Sequence, residues 1–164
     1  MDYIYIGEVV NTHGLKGEVR ILSKFKYKEI IFKKGNKIYI GKNKEEQVIN
    51  SYRYHKIYDM VTLKELNTIE EVLVYKGEPV FINRNDFEFP GFVDEDIIGL
   101  DVYNGSTKIG KIDHILKSAA HDILVIVNNK KKSYVPYVDE FVLNVDLVNK
   151  KIEIKVIEGL LNED

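Results

Sequence analysis

β-branched and aromatic residues gather in short runs along this chain, and Gly, Asn and Lys residues separate the runs. In the first half they fall at 3–10, 18–22, 37–41, 45–54, 60–66 and 79–82, a spacing and composition that predict strands. One segment predicts a helix instead. Thr68-Ile69-Glu70-Glu71 has the form of a capping box, with Thr68 as N-cap and Glu71 at N3, and Val72, Leu73 and Val74 follow it. Gly77 marks its end. A single-turn helix plugging one end of a small barrel is the expected picture.

The pattern breaks at 83–94, which is polar apart from three Phe residues and carries Pro90-Gly91; a domain boundary is expected there. A second strand series follows at 100–103, 108–116, 122–127, 133–136, 142–145 and 151–156, with turns at Asn104-Gly105 and 128–130. Asn-Gly between alternating apolar runs is a strong hairpin signal. The expectation is an all-β chain of two small β-barrels, 1–86 and 96–164, joined by a short linker, 87–95.

The chain has 164 residues, 45% of them hydrophobic, enough for packed cores. It has no cysteine, which excludes disulfides and thiolate metal sites. No apolar run reaches membrane-spanning length, so a soluble cytoplasmic protein is expected. Charge is divided unevenly. Residues 1–90 hold 15 Lys/Arg against 13 Asp/Glu, and residues 91–164 hold 9 against 13. From Lys16 to Lys44, ten basic residues face only Glu18 and Glu29. Such a segment attracts phosphate backbones, although a solvated lysine-rich surface would look the same. The acidic second half suits a basic protein partner.

Candidate chemistry is sparse. Gly14-Leu15-Lys16-Gly17 sits between two strand-like runs, with His13 before it and Arg20 after it. Two glycines three apart give a tight turn that exposes backbone donors and positive charge. None of the four histidines pairs with another at metal-ligand spacing, so no metal site is expected. His121 and Asp122 are adjacent on a strand-like run and point to opposite faces, which excludes an acid–base pair between them. No nucleophile motif, P-loop or G-x-G-x-x-G is present, so neither catalytic residues nor a cofactor are expected. Asp94-Glu95-Asp96 lacks the spacers and glycine of a calcium loop and reads as solvated linker charge. Lys130-Lys131-Lys132 falls on a hairpin turn. Phe87, Phe89 and Phe92 are costly to leave exposed in a polar linker, so they either glue the barrels together or form a partner-binding patch; glue needs no second molecule.

The order of these motifs resembles one family. Gly7-x-Val9-Val10 followed by Thr12-His13-Gly14-Leu15-Lys16-Gly17-Glu18-Val19 is similar to the opening signature of the bacterial RimM family. The second half agrees through Asp96-Ile97-Ile98-Gly99-Leu100-Asp101-Val102, Ile109-Gly110-Lys111-Ile112, Ala120-His121-Asp122-Ile123-Leu124-Val125 and Val135-Pro136-Tyr137-Val138-Asp139-Glu140-Phe141-Val142. Val145-Asp146-Leu147 and Ile157-Glu158-Gly159-Leu160 resemble its close.

The resemblance implies an N-terminal six-stranded barrel like the second domain of translation elongation factors, then a PRC barrel. It also implies a non-enzymatic assembly factor, without cofactor, acting as a monomer. Its partners would be the immature small ribosomal subunit, 16S rRNA and a ribosomal protein of the subunit head (S nineteen). On this reading His13, Gly14, Lys16, Gly17 and Arg20 form the subunit-facing loop, and Phe87, Phe89, Phe92, Asp96 and Asp101 are candidates for the ribosomal-protein contact. Many family members carry an aromatic pair before the D-x-I-G motif; here the stretch is Phe92-Val93-Asp94. Two other readings compete with it: an enzyme on a flavin-reductase-like barrel using His13 or His121, and a β-barrel adaptor for some other protein.

Overall fold

In the computed structural model, which describes residues 1–117 and 120–155, the chain divides into two compact units, Met1–Pro90 and Gly91–Asp164. The first contains strands β1 (Tyr3–His13), β2 (Glu18–Leu22), β3 (Lys37–Ile40), β4 (Glu45–His55), β5 (Tyr58–Leu63) and β6 (Pro79–Asn83), with short helices α1 (Lys28–Ile31) and α2 (Ile69–Leu73). The strands pair in the order β1-β2-β5-β4-β3-β6, and β6 returns to β1 to close a barrel.

Alternation builds this wall. In β2, Val19 and Ile21 are fully buried while Glu18, Arg20 and Leu22 lie on the half-covered side, so the barrel interior takes every second residue. Register shifts in β1, between Tyr5 and Gly7 on one edge and Val9 and Asn11 on the other, supply the bends a small closed sheet needs. The helices lie outside the ladder. Thr68 accepts from the Glu71 backbone and Glu71 returns a carboxylate to the Thr68 backbone, which is the predicted capping box. α2 packs on β1 and β2, with Val72 fully buried. α1 was not predicted; it buries Ile31 and Phe32.

The second unit opens with helix α3 (Asp94–Ile97) and continues as β7 (Asp101–Asn104), β8 (Thr107–Leu116), β9 (Ile123–Asn128), β10 (Lys131–Pro136), β11 (Val142–Asp146) and β12 (Lys151–Ile154). Their order is β10-β9-β8-β7-β12-β11; β12 runs parallel to β7 and the other pairs are antiparallel. Among the described residues this ladder does not close on itself. Ile97, Val102, Ile112, Leu124, Ile126 and Ile152 form its core. The predicted turns fall where expected, at Gly105 and at Asn129, both with positive φ. Asp94-Glu95-Asp96 differs from expectation. It is the helical turn α3, because Asp96 accepts the Val93 backbone N–H at 2.9 Å and Asp94 pairs with Lys117 at 2.6 Å. The family-like close at 157–160 lies outside the described residues. Among the described residues no helix is long and apolar enough to cross a membrane.

Candidate functional site

β1 ends at His13 and β2 begins at Glu18, leaving Gly14-Leu15-Lys16-Gly17 as a four-residue turn. Both glycines adopt positive φ, +74° and +77°. Their surroundings differ. A Cβ on Gly17 would stand 2.8 Å from the Thr68 carbonyl oxygen, whereas one on Gly14 would meet nothing within 4 Å. Gly17 therefore anchors the turn against the entry to α2, and Gly14 only reverses the chain. Between them Lys16 is exposed and Leu15 is 84% exposed. A loop held at its base this closely presents its tip in a fixed place.

Arg20 follows on β2 and lies along the barrel wall. Its Nη2 is 3.1 Å from His13 Nδ1. A guanidinium can only donate, so Nδ1 accepts and the imidazole proton resides on Nε2. The guanidinium also lies 4.9 Å from the centre of the Tyr58 ring, a cation–π contact. Its Nε is buried with no hydrogen-bond partner. Glu18, the acid nearest Lys16 in sequence, is occupied by Arg53 through two bonds of 2.8 and 2.6 Å. Those bonds hold the Glu18 carboxyl below its ordinary value and raise the Arg53 guanidinium. The loop thus keeps its lysine while the neighbouring carboxylate is neutralised.

The other candidates have neighbours of their own within each unit. Phe87 and Phe89 stack on each other at 5.9 Å, and Phe89 stacks on Tyr27 at 5.0 Å and meets Phe25 edge-on at 5.5 Å. Phe92 instead packs against the core of the second unit. Asp96 caps α3, and Asp101 has Lys108 at 3.2 Å and Lys111 at 3.9 Å. Asp122 faces Lys117 at 3.1 Å.

A polar cluster that the sequence did not reveal lies where α1 meets β4 and β5. Asp59 is fully buried; Lys28 Nζ approaches its Oδ2 at 2.9 Å and the Tyr52 hydroxyl donates to its Oδ1 at 2.7 Å. Burial first, then the bond to Asp59, pushes the Tyr52 hydroxyl far above its usual range. Phe32 stacks flat on Tyr52 at 5.7 Å. Lys28 and Asp59 are 31 positions apart, and nothing local in the sequence links them.

A RimM N-terminal domain model matches residues 4–87, and a RimM PRC-barrel domain model matches residues 94–160. The chain belongs to the RimM family. Ribosome maturation factor RimM of Streptococcus pneumoniae, strains Hungary19A-6 and CGSP14, is 36% identical over 172 residues, covering 100% of this chain and 100% of each relative. A crystal structure of a 16S ribosomal RNA processing protein RimM from Pseudomonas aeruginosa is 24% identical, covers 95% of this chain and 98% of that one, and gives a TM-score of 0.45. The turn and Arg20 thus belong to the RimM N-terminal domain, and α3 opens the RimM PRC-barrel domain.

Proposed function

We propose that this chain is a ribosome maturation factor. It binds the immature small (30S) ribosomal subunit, contacts a ribosomal protein of the subunit head (S nineteen), and promotes head maturation and late 16S rRNA processing. The observation that carries this reading is the ordered match to both RimM domains, with 36% identity to a named maturation factor over the whole chain. The division of charge supports it: a basic first half suits rRNA and an acidic second half suits a basic protein.

In this reading residues 1–86 carry the subunit-facing turn, 87–95 form the linker, and 96–164 carry the protein contact. His13, Gly14, Gly17 and Arg20 hold the turn in shape, and Lys16 meets the subunit. Phe92 and the acids of the second half supply the ribosomal-protein contact. The protein acts by binding, without catalysis or a cofactor, as a cytoplasmic monomer.

Sedimentation of the purified protein with small subunits from cells lacking it, beside mature subunits, tests the reading. Preferential binding to immature particles is expected. Lys16→Glu should weaken it several-fold through reversal of a charge at a polyanionic surface, and adding Arg20→Glu should weaken it further by releasing the turn from His13. Binding to neither particle would overturn the reading and favour a β-barrel adaptor with another partner.

A further inference from the structure

Strand register gives the first barrel two chemically different ends. Val19 pairs with Val61 and Ile21 with Asp59. The start of β2, with the Gly14–Gly17 turn, therefore lies toward Leu63. The end of β2 lies beside the β4–β5 hairpin, whose tip is Tyr54-His55-Lys56-Ile57-Tyr58.

At this hairpin end the buried Asp59 carboxylate fixes the Lys28 ammonium, which also donates to the Ser23 carbonyl at 3.1 Å. So held, the ammonium stands 5.2 Å from the centre of the Tyr54 ring. Tyr54 itself remains 58% exposed and Ile57, at the hairpin tip, 59%. A buried carboxylate thus holds a cation against an aromatic ring that faces water. Phe32 and Tyr52 stack beneath it. The chain on either side of this cluster is rich in lysine. Residues 24–34 contain Lys24, Lys26, Lys28, Lys33 and Lys34 against the single acid Glu29, and residues 54–58 add Lys56 and no acid.

We propose that this end of the first barrel binds single-stranded RNA, with a base stacked on Tyr54 and phosphates held by Lys56 and by Lys33 and Lys34, which follow the Phe32 stacked on Tyr52. An exposed ring beside cations is the combination that single strands use, since every unpaired base has a face to stack and every linkage a charge to neutralise. A duplex hides its base faces and gains only the charge term. The site deepens the ribosome-maturation reading, on which it rests only for the source of the RNA. It lies at the opposite end of the barrel from the Lys16 turn.

The test uses the full-length chain, a short fluorescein-labelled oligouridine, a duplex of equal length, and fluorescence anisotropy at low and moderate salt. Oligouridine should bind more tightly than the duplex. Tyr54→Ala should weaken it about tenfold, the cost of one lost aromatic–base stack, whereas Tyr54→Phe should stay within about twofold. Lys56→Glu, at the tip and outside the buried cluster, tests the phosphate arm without disturbing packing. It should weaken binding several-fold and flatten its salt dependence, whereas Lys76→Ala should not. Equal affinity for the duplex, no binding, or unchanged binding by both Tyr54→Ala and Lys56→Glu would overturn the proposal. No ribosomal particle enters this assay, so its outcome is independent of the sedimentation result.

Discussion

Gly14 and Gly17 are three residues apart, both with positive φ, yet replacing them should have unequal effects. At Gly14 an alanine meets only the backbone cost of a left-handed conformation, about 1 kcal/mol. At Gly17 its Cβ would also press on the Thr68 carbonyl at 2.8 Å, and the crowding brings the total to about 3 kcal/mol. Urea unfolding of the two variants measures the difference, and equal midpoints would contradict it. The sequence showed the G-x-x-G turn but could not separate the glycines, because the Thr68 carbonyl that distinguishes them arrives from fifty residues away. Glu18 was legible only as an acid near the turn; its partner Arg53 sits two strands along the sheet. Since Arg53 holds the folded-state value of Glu18 below its ordinary 4.5, the pair contributes fully above that value and fades as pH falls through the folded one. The stability difference between the wild-type chain and Arg53→Ala should therefore be largest near neutral pH and shrink in acid. Denaturation curves at stepped pH check this, and a difference that does not vary with pH would refute it.

At the level of elements, legibility followed length and local chemistry. α2 could be read because both halves of its capping box lie within four residues. Thr68→Ala removes the acceptor for the Glu71 backbone and should cost about 1 kcal/mol, seen as a lowered unfolding midpoint with unchanged cooperativity. A midpoint equal to wild type would mean that packing of Val72, rather than the cap, holds this turn. α1 and α3 escaped notice because four residues show no helical period, and each is held by distant groups: Lys28 by Asp59, and Asp94 by Lys117. The runs of the second unit were visible as strands, but not the parallel pairing of β12 with β7, which depends on how strands far apart in sequence return to the same sheet. The linker phenylalanines could be read as needing cover. That Phe89 stacks on Tyr27 and Phe92 packs on the second core could not, because Tyr27 and most of that core are distant in sequence.

Across the whole molecule, the two units satisfy their backbones in different ways. The first ladder returns to its starting strand, so each of its six strands has a neighbour on both sides. Two chemically distinct ends then remain for contacts, one with the Lys16 turn and the other with the Tyr54 hairpin. The second ladder stops at β10 and β11, each with a single neighbour among the described residues. An edge strand is a template on which another copy can add. β10 begins with the exposed Lys131 and Lys132 and ends at Pro136, charges and a missing donor that discourage such addition. β11 lacks these guards and exposes Leu143. A lysine at position 143, Leu143→Lys, should therefore slow aggregation of this protein on heating, followed by light scattering.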